Sequence, residues 1–256
     1  MSAGAVNSLV DAVYVLSVRS FADRIAHVRR QMAAHGIAFE FIFEHDADAL
    51  APELIARTFG ASDMRRTHQS LVLKHMAVWQ RMVEKRCARA LVFEDDVVLD
   101  AQFNSALPRA LHETDALAPG WSLYLGRGDN HHVGRTQATT ALIAGGPLPA
   151  ADALVCDLEA ARRRLAYLET HRITRPADWL IRETDAAVGI TQWWLARPIV
   201  EQGSMNGLFK SALDDKRQQR GRLYAWLRYR WDKFWRQLRY ARRGRNGIQH
   251  TAKDQT

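Results

Sequence analysis

The sequence predicts a mostly parallel α/β domain, and three observations carry that prediction. Short runs rich in β-branched and aromatic residues alternate with longer segments whose apolar residues recur at helical spacing. Breaker residues follow the strand-like runs. Most pointedly, three carboxylates in a row, Glu94-Asp95-Asp96, end the apolar run Ala90-Leu91-Val92-Phe93.

Residues 12–16 make a first strand fit for burial. Ser20 with Asp23 three residues later resembles a capping box, and Gly36 suits the position just past a helix end, so a charged helix is expected between them. Residues 39–43 form a second strand. The clearest helix is 69–86, where Val72, Met76, Trp79 and Val83 recur at i, i+4, i+7 and i+11, with His75 and Met82 on the same stripe. Residues 90–93 and 121–125 are the third and fourth strands, the latter ending in Gly126-Arg127-Gly128-Asp129-Asn130-His131-His132. Residues 151–156 are a fifth strand, after which Asp157 caps an Arg-rich helix, and 191–196 are a sixth. Ligands of such sheets bind beyond the carboxyl ends of the strands, where the triplet and the Gly126 loop both fall.

Composition narrows the class. With 47% hydrophobic and 25% charged residues the chain matches an ordinary globular protein. Two cysteines, Cys87 and Cys156, exclude a disulfide framework and have no metal-ligand spacing. Residues 1–10 do not read as a secretory signal and no uncharged stretch is long enough to span a bilayer, so a cytoplasmic location is expected. The formal charge of +8 is concentrated: residues 214–245 hold twelve Lys/Arg against three Asp, whereas 1–213 balance at −1. The organisation expected is a globular domain over 1–213, a basic Trp-rich helical segment over 214–245 and a flexible tail over 246–256.

Several segments together resemble glycosyltransferase family 25, the bacterial lipooligosaccharide galactosyltransferases and their relatives. They are VYVLSVRSFADRIAHVRRQM (13–32), FEFIFEHDADA (39–49), LKHMAVWQRMVEKRCARALVFEDDVVL (73–99), WSLYLGRG (121–128), ADALVCDLEAARRRL, RPADWLI and RPIVEQ, in that order over roughly 12–203. Two departures stand out. The family's Gly-Cys turn, with a Ser before the helix His, is replaced by Gln69-Ser70-Leu71-Val72-Leu73-Lys74. The acidic motif after the second strand is replaced by Asp46-Ala47-Asp48. The resemblance implies a GT-A-like fold, a UDP-sugar donor (galactose in the usual case) and inverting transfer to an oligosaccharide or lipid-linked glycan in lipopolysaccharide or surface-polysaccharide assembly. The alternative is a non-catalytic carbohydrate- or membrane-binding relative.

The residues suit that chemistry. Adjacent carboxylates repel, and Mn²⁺ or Mg²⁺ would relieve the crowding while neutralising a departing diphosphate; a solvated turn is the other reading. Asp96 and Glu94 are the expected metal ligands, with Glu94 or Asp95 touching metal or donor. Arg24 either faces the donor or pairs with Asp23. His75 is either a core histidine or, by the resemblance, a donor-site residue. Gln202 follows the last strand and is expected near substrate. Asp178, in the first turn of a helix opened by Pro176, is the expected base, against simple dipole stabilisation, with Trp179 beside it for a sugar ring. Asp152 and Glu183 are reserve bases; Asp129, His131 and His132 form a metal cluster, shape the acceptor cleft or are solvated.

From Leu223, the residues Trp226, Leu227, Trp231, Phe234, Trp235 and Leu238 follow one helix face, with Arg222, Arg228, Lys233, Arg236 and Arg239 flanking it. That pattern fits a helix lying on the anionic inner face of a membrane, against docking on the domain or a nucleic-acid arm; no nucleic-acid reading motif accompanies the charge.

Overall fold

The computed structural model describes residues 6–126, 141–144, 151–209 and 222–243. The chain runs β1 (Ala12–Leu16), α1 (Ala22–His35), β2 (Glu40–Ile42), a 3₁₀ turn (Ala47–Ala49), α2 (Pro52–Thr58), α3 (Arg66–Lys85), β3 (Arg89–Glu94) and β4 (Val97–Leu99). It continues through α4 (Phe103–Thr114), β5 (Trp121–Tyr124), β6 (Leu142–Ala144), β7 (Ala153–Asp157), α5 (Leu158–Thr170), α6 (Ala177–Val188), β8 (Thr191–Leu195), β9 (Val200–Gln202) and α7 (Arg222–Arg243).

Seven strands form one sheet in the order β2-β1-β3-β7-β5-β8-β6, and β4 with β9 forms a separate antiparallel ribbon. β2, β1 and β3 are mutually parallel, as are β5 and β8. β7 runs against both β3 and β5, and β6 runs against β8. Five of the seven strands share one direction, so the expected mostly parallel sheet is present in mixed form.

Alternation along the central strands builds a core on each side of the sheet. Val13, Val15, Leu91, Phe93 and Val155 face α1 and α4, meeting Val28, Met32, Phe103, Leu107 and Leu111. Tyr14, Leu16, Val92, Leu154 and Cys156 face α3, α5 and α6, meeting Val78, Trp79, Met82, Ala160 and Ile181. Cys87 and Cys156 are free, buried thiols.

Several local expectations hold. Gly36 ends α1 at φ 66°, and Asp157 caps α5 by accepting from Ala160 N at 2.8 Å. The capping box does not form: Phe21 occupies the N-cap of α1 without a side-chain bond, because a turn at Val18–Phe21 draws Ser20 out of position. The reading from sequence misses β4, β6 and β9, each three residues long and too short for alternation to register, and α2 and α4, the latter interrupted by Pro108. No described helix is long and apolar enough to cross a membrane.

Candidate active site

Parallel strands β1, β2 and β3 all end at the same edge of the sheet, and the reversed β7 begins there. That reversal matters. In an all-parallel sheet Asp152, which precedes β7, would sit at the opposite end. Running against β3, it lies across from Glu94, whose N–H donates to the Asp152 carbonyl at 2.8 Å. Asp152 is buried, and its carboxylate presses against Gly126, where any Cβ would fall inside it.

The triplet separates as strand geometry requires. Asp95 turns towards α1: Arg24 Nη1 is 2.6 Å from Oδ1, and Ser17 Oγ donates to Oδ2 at 2.8 Å. The Arg24 side chain is 13% exposed and also lies over Phe21 and Phe209, so it is an inward-facing arginine. Glu94 points to the other side, with Gln202 Nε2 3.5 Å from its Oε2. Asp96 enters the turn after β3, and the β4–β9 ribbon brings residues 202–204 against it. Gly203 N donates to its carbonyl at 2.5 Å and Ser204 N to its Oδ2 at 3.1 Å. Its other carboxylate oxygen, Oδ1, is buried with no hydrogen-bond partner among the described residues. Gly203 must be glycine, since a Cβ would stand 2.7 Å from the Asp96 carbonyl oxygen.

Four carboxylates therefore share one mouth, Glu94, Asp95, Asp96 and Asp152, and Asp178 acts on Glu94 electrostatically. Burial, then the charges of Asp96, Asp152, Asp95 and Asp178, push the Glu94 carboxyl well above its usual range. Burial and Asp96 raise Asp152 to about 7. Burial raises Asp95 too, although Arg24 and Ser17 pull the other way. Two cations act on the group. Burial opposes the charge on Arg24, but Asp95, Asp96 and Glu94 outweigh it and raise its pKa. Lys74 is buried, donating to Asp46 Oδ1 and the Glu44 carbonyl at 2.7 Å each, and desolvation lowers its pKa despite Asp46. Asp46 in turn accepts from Arg19 N at 3.0 Å. The two departures from the family pattern thus meet as one ion pair beside Asp95.

The residues present fit a divalent cation. An oxygen-rich, negatively crowded mouth with an orphaned carboxylate oxygen on Asp96 is the donor set that Mg²⁺ and Mn²⁺ favour. Among the described residues no three His, Cys, Asp or Glu side chains close a cage alone. Mg²⁺ usually takes one or two carboxylates and completes its shell with substrate phosphates and water.

Of the remaining expected residues, Asp178 is half-buried in the first turn of α6, accepts from Trp179 N at 2.9 Å and acts electrostatically on Glu94. His75 lies elsewhere, fully buried in the core near Arg164 and Trp79, its pKa lowered to about 3 by burial and then by Arg164. Glu183 pairs with Arg175 on the surface at 3.3 Å. Asp129, His131 and His132 lie outside the described residues. The reading from sequence missed Ser17, Ser204 and the Lys74–Asp46 pair. Ser17 directly follows β1, which is a usable signal; Ser204 reaches Asp96 through the short ribbon, which has none.

A family model described as glycosyltransferase family 25 (LPS biosynthesis protein) matches residues 10–141, just over half of the chain and inclusive of the triplet. The chain belongs to glycosyltransferase family 25. The mixed sheet flanked by helices is consistent with a GT-A-like member. Asp152, Asp178 and Gln202 lie beyond the matched segment. Among curated relatives, human inactive glycosyltransferase 25 family member 3 is 41% identical over 56 residues, 22% of this chain and 9% of that protein. Mouse procollagen galactosyltransferase 2 is 22% identical over 129 residues, 46% of this chain and 21% of the relative. The lacto-N-neotetraose biosynthesis glycosyltransferase LgtB of Neisseria meningitidis is 28% identical over 95 residues, 34% of this chain and 33% of the relative. The matches span from about a tenth to a third of these relatives' lengths. Membership supports a glycosyltransferase role in general terms.

Proposed function

We propose that this chain transfers a sugar, galactose, from its UDP donor to a glycan acceptor in lipopolysaccharide or cell-surface polysaccharide assembly, with inversion at the anomeric carbon. The observation that carries the reading is the buried, unpartnered Asp96 Oδ1 within a crowded carboxylate mouth, in a chain of this family. Asp96 and Glu94 would hold Mn²⁺ or Mg²⁺, which when bound neutralises charge on the departing diphosphate. Arg24 adds a fixed positive charge at the same mouth, and Asp95 with Ser17 holds it in place. Asp178 is the base. The acceptor oxygen bonds to the anomeric carbon as its proton passes to the Asp178 carboxylate, and the carbon–oxygen bond to the diphosphate breaks with its electron pair leaving on that oxygen. Trp179 is 43% exposed next to Asp178, with Arg182 over its ring at 5.1 Å, and serves as the platform for the acceptor sugar.

The choice of galactose is supported by a relative that is named a galactosyltransferase. A second reading, a non-catalytic glycan-binding relative, has in its favour the human relative named inactive. UDP-galactose turnover with Mn²⁺, measured for the native chain and for Asp96→Asn, separates them. The enzyme reading expects turnover that needs the metal and falls about 100-fold or more in the variant. No turnover in either protein across a panel of nucleotide sugars sinks it.

A further inference from the structure

Glycosyl transfer leaves α7 unused. Its 22 residues span about 33 Å at 1.5 Å per residue. At 100° per residue, Trp226, Leu227, Trp231, Phe234, Trp235 and Leu238 occupy one half of its circumference. The rings pack on one another, Trp231 against Trp235 at 5.6 Å and Phe234 against Trp235 at 5.9 Å. Yet Trp226, Leu227, Trp231, Phe234 and Trp235 are each 37–63% exposed. Arg230 folds over the Trp226 ring at 5.0 Å, and Arg228 borders the apolar side. The helix carries one acid, Asp232, 3.9 Å from Arg228.

We infer that this face docks on an anionic lipid surface, the helix lying in the headgroup plane. Charge decides the occupant. A second copy would bring a like-charged helix, of a segment at +9, against this one. A duplex would engage the arginines and leave the rings in water. A bilayer bearing acidic headgroups takes both, the rings into the acyl boundary and the guanidiniums at the phosphates. The helix is too charged to cross the membrane, so it lies on it.

The full chain is tested by co-sedimentation with vesicles of phosphatidylcholine, pure or one part in three phosphatidylglycerol, with tryptophan emission followed in parallel. Binding to the acidic vesicles alone, weakened by salt and accompanied by a blue shift, is expected. Arg228→Gln with Arg230→Gln should lower the partition about 25-fold, taking roughly fivefold per charge, and Trp226→Ser with Trp231→Ser and Trp235→Ser should abolish it. Each variant's melting temperature should stay within a degree or two of the native chain's, a readout independent of turnover. Three results overturn the inference: no binding at low salt, equal binding to neutral vesicles, or binding that duplex DNA captures in preference to vesicles. A dimer that the Trp variant dissolves, with no vesicle binding, overturns it in favour of a second copy.

Discussion

Two clusters of buried charge among the described residues differ in how their charge is balanced. Arg164 and Asp185 are both fully buried between α5, α6 and the sheet. Arg164 donates to Asp185 through Nε at 2.7 Å and Nη2 at 2.8 Å, and Nη2 also reaches Ser122 Oγ at 2.7 Å. Gln192 adds a bond to Asp185, and the guanidinium stacks on Trp79. One cation meets one anion. At the mouth of β3, four carboxylates, with Asp178 acting on Glu94, meet Arg24 and a Lys74 already paired with Asp46. Each cluster keeps a buried polar atom with no partner among the described residues, Arg164 Nη1 in the first and Asp96 Oδ1 in the second, so the balance of charge is what separates them. Burial of charge alone does not mark function, because a compensated pair serves the core. The uncompensated cluster is the one in which we propose that a cation binds.

The largest expected effect lies in the compensated cluster. Arg164→Met strands Asp185 without its cation and should cost about 3–5 kcal/mol, or roughly 10 °C in melting temperature. Adding Asp185→Leu should recover most of that loss, since an apolar pair of similar volume replaces a buried ion pair at little cost. Asp152→Asn, in buffer stripped of divalent cations, should leave the melting temperature unchanged or raise it. If both single variants destabilise equally, the distinction between the clusters collapses.

Next in size is a steric test of the mouth. Gly126→Ala places a methyl group inside the space of the Asp152 carboxylate and must displace it. Metal-dependent turnover should fall about tenfold, as for disturbed supports of a metal site. Pairing Gly126→Ala with Asp152→Ala removes the clash, so the double variant should melt like the native chain. Full activity in the Gly126→Ala single variant would mean that the position of Asp152 is immaterial.

The carboxylate mouth was partly legible in the sequence, whereas the Arg164–Asp185 pair was not read from it, and the exceptions have physical causes. Glu94-Asp95-Asp96 announced itself because an acidic run at the end of an apolar strand is electrostatically expensive. Arg24, at the start of a helix directly after a strand, was within reach by the same logic. His75 sits on the apolar stripe of α3, and that stripe faces Arg164 in the core, so periodicity alone described its surroundings better than the family pattern did. The placement of Asp152 depends on the direction of β7, and strand direction leaves no trace in hydrophobic alternation. Gln202 and Ser204 reach the mouth on a ribbon of three-residue strands, shorter than any periodicity can resolve.

The two clusters should also titrate in opposite senses, which is the most diagnostic difference between them. His75, buried beside Arg164, ionises at about 3 rather than 6.5. An unfolded chain would take up a proton there below about pH 6.5 while the folded chain refuses it, so acidification from 6.5 towards 3 destabilises the fold. Asp152 behaves the other way. Raised from 3.8 to about 7, it keeps in the folded state a proton that the unfolded chain releases above about pH 4, so raising the pH from 4 to 7 erodes stability. The two windows overlap between about pH 4 and 6.5, where the opposite slopes offset each other, so melting temperature in metal-free buffer should be nearly level there and fall below and above it. His75→Gln should leave only the neutral limb set by Asp152, a fall from about pH 4 to 7, and Asp152→Asn only the acid limb set by His75, a fall from about pH 6.5 to 3. Mn²⁺ should flatten the neutral limb as well, because a cation among these carboxylates compensates the charge that burial penalises, and it should leave the His75 limb untouched. A neutral limb that neither Asp152→Asn nor Mn²⁺ alters would place the charge imbalance somewhere other than this mouth.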